Sequence, residues 1–247
     1  CKNYDHPLMV VATKAIVFSA IKYSEADLIV SCFTEASGIK SYLLRNILKS
    51  KKGKLKASFF QPLTQLEIVA DHKNKGTLEY IREAKVYYHY QTLHTDVVKT
   101  GLVMFLAEML KNCIREEEAN EDFFVFLEQS FLWLDKNDEV ANFHIFFLLQ
   151  LSMYLGFFPD ATEIQKNYFN IVEGNFQATN TSNYCIEGEE IENFKRFFET
   201  KLETLQEIKL TKTQRKNLLE LMLSYYSFHV QGYQKPKSLA VLNQLFL

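Results

Sequence analysis

The spacing of apolar residues changes once along this chain, near residue 95, and that change constrains the fold more than any other feature. Before it, LMVVATKAIVF at 8–18 and DLIVSCFT at 27–34 are rich in β-branched and aromatic residues and end in polar segments, which predicts strands. A third strand is expected around Ser41–Leu48 and a fourth around Phe59 and Phe60. Residues Leu63–Ala70 then alternate, with Thr64, Leu66, Ile68 and Ala70 opposite Leu63, Gln65, Glu67 and Val69, as in a half-buried strand. Gly38, Gly53 and Gly76 fall where turns are needed.

Beyond residue 95 the period becomes helical. Val98, Leu102, Phe105, Met109 and Cys113 recur every three or four residues, the spacing of one helix face. Further helices are expected over Asn120–Leu134, Glu139–Leu155, Ile191–Leu205, Leu218–Tyr226 and Ser238–Phe246. Gly156 and Pro159 supply a stop after the third helix, and Thr211 with Gln214 forms a capping box before the fifth. Gly, Asn, Ser and Thr crowd residues 174–190, which read as a long loop.

The predicted fold class is therefore α+β. A five-stranded barrel of the oligonucleotide-binding (OB) type over residues 8–85 precedes an all-helical domain over 92–247. A small SH3-like barrel or an open sheet stays open, because strand count alone does not choose. The apolar run at 8–18 is short and contains Lys14, so it reads as a strand and not as a signal peptide. Cys1–Pro7 stands outside the predicted fold. The expected location is cytoplasmic and nucleoid-associated.

Charge divides along the chain. Residues 1–90 carry 14 Lys/Arg against 8 Asp/Glu, whereas residues 91–247 carry 14 against 22. The net charge of -2 conceals this. Lys40, Arg45, Lys49, Lys51, Lys52, Lys54 and Lys56 lie in one stretch without an acidic residue. Such a stretch suits a polyanion, with phosphate contacts that place a strand without reading its sequence. Lys73 and Lys75 are expected to extend it, as are Arg82 and Lys85. Phe33, Tyr42, Phe59 and Phe60 are candidates for base stacking. If Phe59 and Phe60 share a strand, only one can face outward, and Phe59 is the candidate of the two. The competing readings are a solvated turn, a nuclear-localisation signal, or a scaffold whose basic turn engages an acidic partner.

Catalytic signatures are missing. The chain has no GxxxxGK[ST], HExxH or GxSxG, and Cys1, Cys32, Cys113 and Cys185 show no paired spacing. The chain is read as non-catalytic, with no cofactor and no metal. A nuclease would need separated carboxylates that meet in space. His144 sits among aromatics and reads as a satisfied core histidine.

Several segments resemble the bacterial RecO family of recombination mediators, particularly its Bacteroidetes-type members. They include Thr13-Lys-Ala-Ile-Val-Phe18, Asp27-Leu-Ile-Val30, Phe33-Thr-Glu-Ala-Ser-Gly38, Leu48-Lys-Ser-Lys-Lys-Gly-Lys-Leu55 and Phe60-Gln-Pro-Leu-Thr64. In the second half they include Phe105-Leu-Ala-Glu-Met109, Tyr154-Leu-Gly-Phe157 and His229-Val-Gln-Gly232. The resemblance implies an OB-fold and a helical domain that bind single- and double-stranded DNA and anneal complementary strands. It also implies that, with RecR, the protein helps RecA replace single-stranded-DNA-binding protein (SSB). The acidic tail of SSB is expected on the helical half, with Lys195, Arg196, Lys212, Arg215 and Lys216 as candidate contacts. Many members carry a zinc-binding cysteine cluster after the segment matching Tyr154–Pro159. Here no cysteine follows until Cys185, which argues that the metal has been lost.

Overall fold

The computed structural model describes residues 9–49, 54–73, 78–115 and 118–246. It comprises two compact units, residues 1–94 with 106–132, and residues 95–105 with 133–247.

In the first unit, five strands form one antiparallel sheet: β1 (Met9–Lys22), β2 (Leu28–Thr34), β3 (Gly38–Leu44), β4 (Gln65–His72) and β5 (Tyr80–Val86). Their order is β3-β2-β1-β4-β5. Among the described residues, the two edges meet at a parallel bridge between Tyr42 and Glu79. There the Leu43 amide donates to the Glu79 carbonyl at 2.9 Å, and the Glu79 amide to the Ser41 carbonyl at 2.8 Å. This is OB topology: an open ladder brought round on itself by the β3–β5 contact. Alternation sends Val30, Cys32, Tyr42, Leu44, Leu66 and Ile68 inward, each at most 2% exposed. Burying an aliphatic or aromatic side chain of this size contributes about 1.5–3 kcal/mol.

Two expectations need correction. Ala57–Phe60 is a 3-10 turn and not a strand, and the fifth strand is Tyr80–Val86, which charged Arg82, Glu83 and Lys85 disguise. Phe60 still points in and Phe59 partly out. Phe33 and Tyr42 are core residues, so neither is a stacking platform. Phe33 packs on Phe123 and Phe124 of α2 (Glu121–Lys136), at 5.0 and 6.2 Å between ring centroids.

The helical period near residue 95 forms α1 (Val97–Cys113). In the second unit, α3 (Phe143–Tyr154) is apolar around its whole circumference and accordingly buried. The Tyr226 hydroxyl donates to the Leu148 carbonyl at 2.7 Å. Tyr226 lies on α5 (Lys212–His229), which opens with the expected Thr211–Gln214 capping box. A cap of this kind contributes about 1 kcal/mol.

The expected loop at 174–190 and the helix after it are more structured and shorter, respectively, than the sequence predicts. Strands β6 (Tyr168–Asn170), β7 (Asn175–Gln177) and β8 (Cys185–Ile186) form a small antiparallel sheet. The helix α4 covers only Glu189–Lys195, followed by a 3-10 segment, Leu202–Glu207. Gly174 sits at φ 68° with the Tyr225 hydroxyl 2.8 Å from where a Cβ would stand, so both conformation and space demand glycine there. The chain ends in α6 (Leu239–Phe246). Among the described residues, no helix is long and apolar enough to cross a membrane.

Candidate nucleic-acid interface

Of the ten residues proposed for nucleic acid, Lys51, Lys52 and Lys75 lie outside the described residues. Lys40 is a correction. It stands on the inward face of β3 with Tyr42 and Leu44 and is only 8% exposed. The sequence reading began that strand at Ser41, whereas it begins at Gly38 and carries Lys40 inside. Its ammonium is felt by His72, whose pKa is lowered first by burial and also by Lys40, with the Glu79 and Asp71 carboxylates opposing.

Arg45, Lys49, Lys54, Lys56 and Lys73 are exposed. What holds each of them separates them into two kinds. Lys49 pairs with Glu25 at 3.4 Å and Lys54 with Glu83 at 2.6 Å. The expected extensions behave likewise: Arg82 pairs with Asp71 at 2.7 Å and Lys85 with Glu67 at 2.6 Å. The remaining three rest on aromatic rings. The Arg45 guanidinium lies 5.9 Å and the Lys73 ammonium 5.5 Å from the Tyr80 ring centroid, and Lys56 lies 5.8 Å from that of Phe59. Among the described residues none of these three has a carboxylate within ion-pair distance.

The distinction is electrostatic. A carboxylate cancels the cation's net charge, so a distant phosphate meets a dipole. A ring offers only a quadrupole, which orients the cation and leaves its full unit charge for a polyanion.

Backbone geometry brings the Arg45, Tyr80 and Lys73 side chains together. Arg45 follows the last residue of β3, and Asn46 turns the chain in the left-handed region at φ 57°. The Asn46 amide donates to Asp27 Oδ1 at 2.7 Å, the leading cause that lowers the Asp27 pKa, and this ties the turn to the β1–β2 hairpin. Lys73 follows β4, and its amide donates to Glu79 Oε2 at 2.8 Å. Tyr80 opens β5 beside the Glu79 bridge. Asp71, the cross-strand partner of Tyr80, is occupied by Arg82. Sequence reasoning missed Tyr80 because it missed β5. The available signal was an aromatic residue heading an alternating charged run, Tyr80-Ile-Arg-Glu-Ala-Lys85.

In the helical unit, Lys212, Arg215 and Lys216 line one small cavity with Leu219, Leu242 and Phe246. Arg215 is already engaged. It donates to Asn142 Oδ1 at 3.0 Å and to the Leu210 carbonyl at 3.2 Å, and lies over the Phe246 ring. Lys195 pairs with Glu192 at 2.6 Å, and Arg196 bonds the Lys209 carbonyl. Lys195 and Arg196 do not line that cavity. His144 does line it and is 1% exposed, but its Nδ1 has no hydrogen-bond partner, so the expectation of a satisfied histidine fails.

An OB-type sheet followed along the chain by a mainly helical region defines a two-module class of protein. The profile described as Recombination protein O N terminal matches residues 9–90, and Recombination protein O C terminal matches residues 94–240. The chain belongs to the RecO family. It is 52% identical over 238 residues to the DNA repair protein RecO of Christiangramia forsetii, covering 96% of this chain and 100% of that protein. The RecO proteins of Flavobacterium psychrophilum and Bacteroides fragilis are 45% and 34% identical, again over 96% of this chain and all of theirs. Membership supports a role in DNA repair and recombination. A zinc cluster does not fit the residues around β6–β8. Cys185 is the one thiol there, its Sγ meets the Thr181 and Ser182 hydroxyls at 3.8 and 3.9 Å, and no metal-competent cluster exists among the described residues.

Proposed function

We propose that this protein is a recombination mediator that binds single- and double-stranded DNA through its phosphates and anneals complementary strands. With RecR it then helps load RecA onto SSB-coated single strands. Residues 8–85 serve as the DNA-binding domain, and residues 92–247 carry the protein contacts. No bond is made or broken. Two strands repel each other, and exposed cations screen that repulsion and raise their local concentration.

The observation that carries this reading is the set of three exposed cations, Arg45, Lys56 and Lys73, held on rings and not on carboxylates. Lys49 and Lys54, in weak exposed ion pairs, join when a phosphate displaces the carboxylate, since such pairs contribute only about 0–1 kcal/mol. Lys51, Lys52 and Lys75, outside the described residues, are further candidate phosphate contacts by their place in the sequence. The acidic, apolar SSB tail docks on the helical unit, where Lys212 and Lys216 flank Leu219, Leu242 and Phe246.

Fluorescence titration of homopolymer DNA at two salt concentrations tests the reading. Affinity should fall steeply as salt rises and vary little between homopolymers. Absent DNA binding at low salt, with an acidic peptide still bound, would favour the scaffold reading.

A further inference from the structure

Tyr80 has no charge, heads a strand hidden in sequence, and yet holds two cations from separate elements. Arg45 reaches its ring from the end of β3 and Lys73 from the end of β4. All three sit where the parallel bridge joins the sheet edges, and Lys73 and Tyr80 stand on either side of the β4–β5 connection in the sequence. In OB folds this connection and the β2–β3 face are where strands of nucleic acid run. Resting on this DNA-binding reading, we infer that Arg45 and Lys73 clamp one phosphodiester of a single strand and that Tyr80 is the residue that positions them.

Two flexible cations with no partner sample many rotamers, and freezing them on a ligand costs conformational entropy. Resting on the Tyr80 ring, both are restrained before the strand arrives. Neither cation has a carboxylate within ion-pair distance among the described residues, although the Asp27 carboxylate feels the Arg45 charge from farther off. Asp71 is taken by Arg82, Glu79 Oε2 accepts the Lys73 amide, and Asp27 accepts the Asn46 amide. The guanidinium then offers a planar fork to two phosphate oxygens and the ammonium a point charge to the same group. The ring acts through the cations, so Tyr80 is a positioning residue and needs no contact with DNA.

The test replaces the ring's electronics while keeping its shape. Binding of a fluorescent oligo(dT) is measured against salt for the native protein, Tyr80→Phe, Tyr80→Leu, and a protein with pentafluorophenylalanine at position 80. The phenyl variant should match the native protein, because the attraction is to the ring face. The fluorinated ring reverses the quadrupole and should weaken low-salt affinity by roughly threefold to tenfold, as should Tyr80→Leu, with unchanged melting temperature for the fluorinated protein. In an Arg45→Gln, Lys73→Gln background, fluorination should have no further effect. Equal affinity for phenyl and pentafluorophenyl rings would overturn the clamp while leaving DNA binding intact. Native protein that fails to bind oligo(dT) would instead overturn the DNA-binding reading itself. If Tyr80→Leu does not fold, the isosteric pair still decides the question.

Discussion

The Tyr42 hydroxyl lies 2.9 Å from His72 Nε2 within the closed end of the barrel. Both residues are 0% exposed, and Tyr42 is also the β3 half of the bridge to Glu79. Burial raises the Tyr42 phenol pKa and lowers that of His72, so both are neutral near pH 7. His72 Nδ1 has no partner, which leaves the Tyr42 bond as the ring's one side-chain hydrogen bond among the described residues.

Tyr42→Phe should therefore strand His72 Nε2 in the core and destabilise the first unit by about 1–3 kcal/mol. The check is the urea midpoint of unfolding at pH 7. A double variant, Tyr42→Phe with His72→Leu, should recover part of the loss, since it removes the orphaned nitrogen along with its partner.

Lys40 and Lys56 belong to the same basic stretch but should respond oppositely to substitution. Lys40→Gln replaces a buried, interacting side chain and should lower stability without changing the salt dependence of DNA binding. Lys56→Gln should leave stability within about 0.5 kcal/mol and reduce the salt slope for single strands by about 0.7. Melting curves and salt titrations of both variants provide the comparison.

His144 gives the helical unit a pH-dependent stability. Burial depresses its pKa to about 3, with the Arg215 charge adding to the effect. The unfolded histidine titrates near 6.5, so between about 6.5 and 3 the unfolded chain binds the extra proton and stability falls as pH falls. His144→Leu should flatten that dependence, as seen in denaturant midpoints at pH 7, 5.5 and 4.5. It also removes an unpaired Nδ1, so its cost at pH 7 should be small.

The sequence revealed the fold where periodicity was unmixed. Runs of β-branched and aromatic residues marked β1 and β2, alternation marked β4, and the three-and-four spacing marked α1. It failed at β5, because a strand whose outward positions are Arg82, Glu83 and Lys85 loses the composition by which strands are recognised. The tract at residues 174–190 misled for a related reason: its polar side chains are used locally, Thr181 on Gln177 and Asn180 and Ser182 on backbone amides, beside a very small sheet. At the candidate site the charges were legible but their environments were not. Nothing local in sequence says that Lys40 points inward, that Lys54 meets Glu83, or that Arg45 and Lys73 share the ring of Tyr80. Those are contacts between distant segments, fixed only when the sheet comes round on itself.

The measurement that bears most directly on the account compares two sets of neutralised cations. One protein carries Arg45→Gln, Lys56→Gln and Lys73→Gln, which removes the ring-held charges. The other carries Lys54→Gln with Glu83→Gln and Lys85→Gln with Glu67→Gln, which removes whole ion pairs and keeps net charge constant. In salt titrations with oligo(dT), the first should lower the log–log slope by roughly 2, at about 0.7 per lost phosphate contact, while the second should lower it by no more than about 0.7, the single Lys54 contact. Equal slopes for both proteins, or a larger loss in the second, would contradict the claim that ring-held cations carry the DNA.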